Sequence, residues 1–196
     1  MNIFRKNTLT ISLLLMSSIF YCFKLNMNSK CNTNSGTIIS TDSIMIDSIF
    51  KSLEYLSLPI SYSNNVESSS NLRALHPNEI IFLQLNDEKI IPNFNMETSL
   101  ISLENKINLS NNFYSIIARS IPNENEIHSI LLNFTKNLEL IEAKLIAYDE
   151  VAESCFKIEA IIDYQNIHIY HFDNCYQNKL DTLSYSINCE GKFEPK

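Results

Sequence analysis

The sequence predicts an α+β fold: an N-terminal helix followed by a single curved antiparallel β-meander, a half-propeller-like sheet. Three observations carry this. Apolar residues between positions 41 and 56 recur near helical spacing, whereas from residue 99 onward short β-type runs alternate with turn residues. No helical pattern separates those later runs, so consecutive strands are expected to pair as neighbours. A hydrophobic fraction of 45% supplies enough apolar surface for a core, and 196 residues leave room for one domain of ordinary size.

Residues 1–23 read as a signal peptide or signal anchor. Arg5 and Lys6 precede a charge-free run at 8–23 (TLTISLLLMSSIFYCF), the basic lead and compact apolar stretch of an export signal. That run is shorter than the roughly 20 residues that span a bilayer comfortably, which favours a signal over a transmembrane helix. Three endings stay open: lipidation at Cys22, cleavage to a soluble form near Ser29 and Cys31, or retention as an anchor. Tyr21 stands where a lipoprotein signal carries a small residue. Residues 24–40 are polar and Asn-rich and read as a tether, leaving 41–196 as the domain.

Within the domain, Ser40-Thr41-Asp42 is a helix start signal, and Ile44, Ile49, Leu53 and Leu56 follow on one face until Leu58-Pro59 ends the run. Residues 61–70 (SYSNNVESSS) are a loop by composition, and 78–85, short and apolar after Pro77, fit a helix turn or a strand, the helix being favoured. The β-type runs are 100–107, 113–119, 127–134, 138–148, 155–163, 167–173 and 183–188. Lys136-Asn137 fits a two-residue hairpin turn, because Asn tolerates positive φ; it would set Leu132 against Ile141 and Ile130 against Ala143.

In the next hairpin, a Tyr164-Gln165-Asn166 loop would pair Ile161 with Ile169, Glu159 with His171 and Lys157 with Asp173. Its other face would pair Ile158 with Phe172 and Ala160 with Tyr170. That register places Cys155 opposite Cys175, within reach of a disulfide suited to an oxidising compartment. The alternatives are two free thiols, or competition from Cys189 for either partner.

The composition excludes several chemistries. A net charge of -7 and a pI near 5.1 argue against nucleic acid, which rewards clustered Lys and Arg. Two glycines leave no phosphate-cradling loop. The five cysteines form no C-x-x-C pair and hold no zinc-type spacing with histidine, so no metal or cofactor is expected. His168 and His171 lie on opposite faces of a strand and cannot converge. His171 with Asp173 and Glu159 reads as solvated cross-strand pairing. Asp149, Glu150 and Glu153 form an acidic connection without the turn Gly or ligand spacing of a calcium loop. No G-x-S-x-G elbow is present, and no catalytic residue is assigned.

Leu58-Pro59 after an early helix, the turn segment Phe134-Thr-Lys-Asn-Leu138, Tyr148-Asp-Glu-Val-Ala-Glu-Ser154, and the ending Tyr185-Ser-Ile-Asn-Cys-Glu-Gly-Lys-Phe193 form a recurring set. Over roughly residues 50–194 the chain resembles a group of uncharacterised secreted or lipoprotein-type proteins of Bacteroidota. Asn137, where relatives tend to carry a turn Gly, and the large residue before Cys22 depart from that pattern. The resemblance implies location and fold, not activity.

The expected function is therefore a non-enzymatic exported or cell-envelope module that binds a protein or glycan through a sheet face or its loops. Membrane association would come from the N-terminal segment or a lipid. The alternative is an extracellular hydrolase of glycan or peptide using loop carboxylates such as Glu150 and Glu153. A cleft joining the Asp149 loop to His171, with converging titratable groups, would favour the enzyme.

Overall fold

The computed structural model describes residues 41–64, 73–150, 155–176 and 178–196. The signal segment, the tether, Cys22 and Glu153 lie outside them. Helix α1 (Thr41–Ser52) leads into β1 (Glu54–Leu56) and β2 (Ile60–Tyr62), with a cis Leu58–Pro59 bond between these strands. Helix α2 (Pro77–Phe82) precedes the main strands: β3 (Leu100–Ile107), β4 (Phe113–Asn123), β5 (Glu126–Thr135) and β6 (Leu140–Glu150). Then come β7 (Phe156–Ile162), β8 (Asn166–Asp173), β9 (Asn178–Ile187) and β10 (Phe193–Pro195). All seven expected strands are present, in one mostly β, ten-stranded sheet whose order follows the chain from β3 to β10. Among the described residues, no helix is long and apolar enough to cross a membrane.

Two small strands change the expected picture. β1 adds parallel to β3, Glu54 opposite Asn105 and Leu56 opposite Ile107. β2 pairs antiparallel with β7, Ile60 opposite Ile162 and Tyr62 opposite Ala160. The β1–β2 segment thus laces β3 to β7. Helix α1 accordingly stops at Ser52, short of the expected Leu56. Its last carbonyls are met by side chains instead, Lys106 Nζ donating to Lys51 O at 3.2 Å and Ser52 Oγ to Ile49 O at 2.8 Å.

β4 and β5 are buried on both faces, and their alternating apolar residues feed two cores. Ile116, Ala118, Ile130 and Leu132 join Ile46 and Phe50 of α1, Ile80 of α2, and Leu83, Leu85 and Ile91 beyond it. Ile117 and Leu131 instead join Ile107, Ile146, Ala160 and Ile162, Ile167 and Ile169 of β8, and Phe193 of β10. Each such side chain fully buried is worth about 1.5–3 kcal/mol. Ile46 and Phe50, one helical turn apart, hold α1 down, with Ile49 and Leu53 packed partly beside them. The anchoring stripe is therefore rotated from the one read from spacing.

Both expected hairpins shift in register. The β5–β6 loop contains three residues, Lys136, Asn137 and Leu138, closed by Leu138 N–H to Thr135 O and Thr135 N–H to Glu139 O. Positive φ falls on Leu138 (+68°), not Asn137, because Leu138 is pulled into the first core. Bulges then slide the partners, so Leu132 faces Ala143 and Ile130 faces Leu145. In the β7–β8 hairpin the loop is Tyr164-Gln165, held by Asp163 N–H donating to Asn166 O. Ala160 faces Ile169, Ile158 faces His171, Glu159 faces Tyr170 and Phe156 faces Asp173. The core set Ile162, Ile167, Ala160 and Ile169 outweighs the charge pairs that suggested the other register. Beyond Asp173 the strands offset by one residue, and Cys155 and Cys175 are disulfide-bonded with Cα atoms 4.9 Å apart. Cys189 competes for neither, being disulfide-bonded itself.

Candidate functional site

A cavity of about 680 Å³ opens where α1, β1, β2 and β3 meet. Its walls mix apolar residues, among them Ile49, Leu53, Leu75 and Leu103, with polar ones such as Glu54, Ser61 and Asn105, and one end holds Tyr62, Glu104 and Arg119. A β-bulge builds that end. Leu103 faces Ala118 and Asn105 faces Ile117, so Glu104 is the extra residue and is re-aimed out of the ladder. It reaches Arg119 of β4, whose Nε lies 2.6 Å from Glu104 Oε1; both side chains are at least 94% buried. The Tyr62 hydroxyl, brought in by β2, donates to Glu104 Oε2.

The network continues inward. Ser129 Oγ donates to Asn64 Oδ1 at 2.5 Å, and Asn64 Nδ2 donates to Ile127 O at 2.6 Å. Burial, and then the Glu104 charge beside it, push the Tyr62 hydroxyl well above the ordinary tyrosine pKa, so it remains a neutral donor. Glu104 thus has one oxygen against Arg119 and the other accepting from Tyr62, which ties β3 to β4 and β2. At the rim, Arg73 Nη2 meets Glu79 Oε1 at 2.6 Å, and the His76 N–H caps Glu79 Oε2 at 2.7 Å. Burial works to raise Glu79, but these two hydrogen bonds prevail and hold its carboxyl below the usual range.

A smaller hollow of about 290 Å³ lies where β5, β6, β7 and β8 meet, lined by Glu126, His128, Tyr148, Phe156, Lys157 and His171 among others. His128 faces Tyr148 across β5 and β6, ring centroids 5.3 Å apart, and its Nε2 lies 3.3 Å from Glu126 Oε2. Burial lowers the His128 pKa despite the Glu126 charge, so the imidazole is neutral at pH 7. Asn93 Nδ2 also donates to Glu126 Oε2, at 2.9 Å.

The residues singled out from sequence scatter. His168 contacts Ser184 Oγ through Nδ1 at 2.9 Å, away from His171, which lines the smaller hollow opposite Ile158 and Asp181. The expected His171–Glu159–Asp173 cluster does not form: Glu159 pairs with Lys157 at 2.7 Å, and the Asp173 carboxylate accepts from the Tyr176 N–H. Asp149 faces Lys157, and Glu150 faces Glu126 at the strand end. Among the described residues no three His, Cys, Asp or Glu side chains are grouped to hold a metal. Glu104, Arg119 and Tyr62 were missed. The available signal was Arg119, a lone cation in the apolar run Ile116-Ile-Ala-Arg-Ser-Ile121. No family model, curated protein or solved structure matches the chain.

Proposed function

We propose that this protein is an exported, non-enzymatic binding module of the α+β class, and that its ligand, a protein side chain or a glycan unit, enters the 680 Å³ cavity. The supporting observation is the buried Glu104–Arg119 ion pair, with Tyr62 donating to Glu104, in the wall of a mixed polar and apolar space of ligand size. The Cys155–Cys175 disulfide is compatible with an oxidising, exported location. The N-terminal signal and the likeness to secreted Bacteroidota proteins support a place in the cell envelope or outside the cell.

The second reading, an extracellular hydrolase, is favoured by the smaller hollow, which joins Tyr148, beside Asp149, to His171. Binding of the full chain to an array of envelope glycans and peptides separates the two. For the binding module, an array member is retained unchanged, and Leu103→Trp, which adds bulk at the cavity wall, weakens retention while the circular dichroism spectrum is preserved. Cleavage of an array member, abolished by Glu126→Gln and untouched by Leu103→Trp, would replace this reading with the hydrolase.

A further inference from the structure

The bend between β1 and β2 meets the tip of the β7–β8 hairpin. β2 pairs with the end of β7, Ile60 opposite Ile162, and the two-residue loop Tyr164-Gln165 follows directly. A shallow groove of about 330 Å³ is lined there by Tyr55, Leu56, Ser57, Leu58, Asn108 and Tyr164. It shares only Leu56 with the 680 Å³ cavity.

Tyr55 is 64% exposed and Tyr164 71%. A single exposed aromatic ring is ordinary, but these two line one groove and each is held in place. Tyr164 sits in a loop locked by Asp163, whose carboxylate accepts from the Gln165 and Asn166 N–H groups, each at 2.7 Å. Its hydroxyl donates across the groove to Leu58 O at 3.1 Å. Tyr55 stands opposite Lys106 in the β1–β3 register, and Lys106 Nζ lies 4.3 Å from the ring centroid while donating to Lys51 O. Rings fixed before a ligand arrives lose little freedom on binding it.

The lining sets the chemistry of the guest. None of the six residues is charged, so an ion of either sign gains no partner, and a neutral ligand matches the groove. Ser57 and Asn108, both exposed, offer donors and acceptors. The Tyr164 oxygen has given its proton to Leu58 and can only accept. The ligand must therefore donate hydrogen bonds as well as accept them, and present C–H groups to the negative faces of the rings. A pyranose of gluco configuration does both, with equatorial hydroxyls at its edge and axial C–H groups on its faces. A proline-rich segment, another guest of aromatic grooves, brings no N–H at its prolines. We propose that this groove binds a neutral, gluco-configured glycan, its sugar faces against Tyr55 and Tyr164 and its hydroxyls at Ser57 and Asn108. The site goes beyond the reading of the larger cavity, and its failure would leave that reading standing.

The test is titration of the full chain with cellohexaose, following the tyrosine ring resonances by NMR, with a decaproline peptide as the comparison. A saturable shift of Tyr55 and Tyr164 is expected with cellohexaose. Tyr55→Ala and Tyr164→Ala should each weaken it about three- to tenfold, the scale of one aromatic contact. Tyr164→Phe keeps the ring and should stay within about twofold of the parent chain. Leu103→Trp, at the wall of the other cavity, should leave this affinity unchanged. Absence of a saturable shift with cellohexaose would overturn the site, and saturation by decaproline in its place would assign the groove to a proline-rich peptide. A loss in Tyr164→Phe as large as in Tyr164→Ala would overturn the stacking. Affinity kept in both alanine variants but lost in Leu103→Trp would move the glycan to the larger cavity and overturn the groove.

Discussion

The two acidic sites of this domain are opposites in how their charge is met. Glu104 is almost wholly buried, and its two oxygens are met from different strands, one in an ion pair with Arg119 of β4 and the other accepting from Tyr62 of β2. Glu126 shares its engaged oxygen between Asn93 and His128 and faces a second carboxylate. A carboxylate met by an arginine and a tyrosine ties together the strands that deliver them, whereas two facing carboxylates repel. The contrast places a tie at the β2–β3–β4 side and a repulsion at the β5–β6 side.

The largest expected effect comes from breaking the ion-paired side. Arg119→Met leaves a buried, unpaired Glu104 and should cost about 3–5 kcal/mol in urea unfolding, with most of that recovered in the Glu104→Leu/Arg119→Met double variant. A double variant no more stable than Arg119→Met alone would show that the charge pair is not what the site depends on. Next is the Cys155–Cys175 bridge, which closes a chain separation of 20 residues and ties the hairpin lining the smaller hollow. Cys155→Ser/Cys175→Ser should lower stability by about 3 kcal/mol on the chain-entropy account. Hydrogen exchange should rise in β7 and β8 and leave β3 and β4 protected.

Tyr62→Phe removes one donor from Glu104 and is expected to cost about 1.5–3 kcal/mol, read from the denaturant midpoint. The smallest effect belongs to His128. Its folded-state pKa is depressed by burial, so below about pH 6.5 the unfolded chain binds the proton more readily, and stability falls as the pH drops. The slope should not exceed about 1.4 kcal/mol per pH unit. His128→Gln should flatten that part of the stability profile; an unchanged slope would assign it to other groups.

Much of the sheet was legible because strand and turn chemistry is local. The seven main strands follow from apolar runs and the residues between them. The three-residue strands β1, β2 and β10 have no pattern of their own, since each exists only where an existing edge accepts it. The candidate site was hidden for a related reason. Glu104 enters the cavity through a bulge, and a bulge changes which way a residue points without changing the alternation of the letters. Register failed where charge pairs were weighed equally with burial. In the β7–β8 hairpin the solvated pairs gave way to Ala160–Ile169 and Ile162–Ile167. Leu138 at positive φ is the same lesson in a turn: its side chain is held in the core against the backbone preference of the residue.

The lacing of β3 to β7 by the β1–β2 segment also orders events in time. The β3–β4, β4–β5 and β5–β6 pairings join consecutive strands and close short loops. Ile60 must find Ile162 across nearly the whole domain, and such distant contacts are made only after local ones have reduced the search. Tyr62 rides on that late strand. The Tyr62–Glu104 contact is therefore expected to form last, and a chain can carry its full set of hairpins and still lack it.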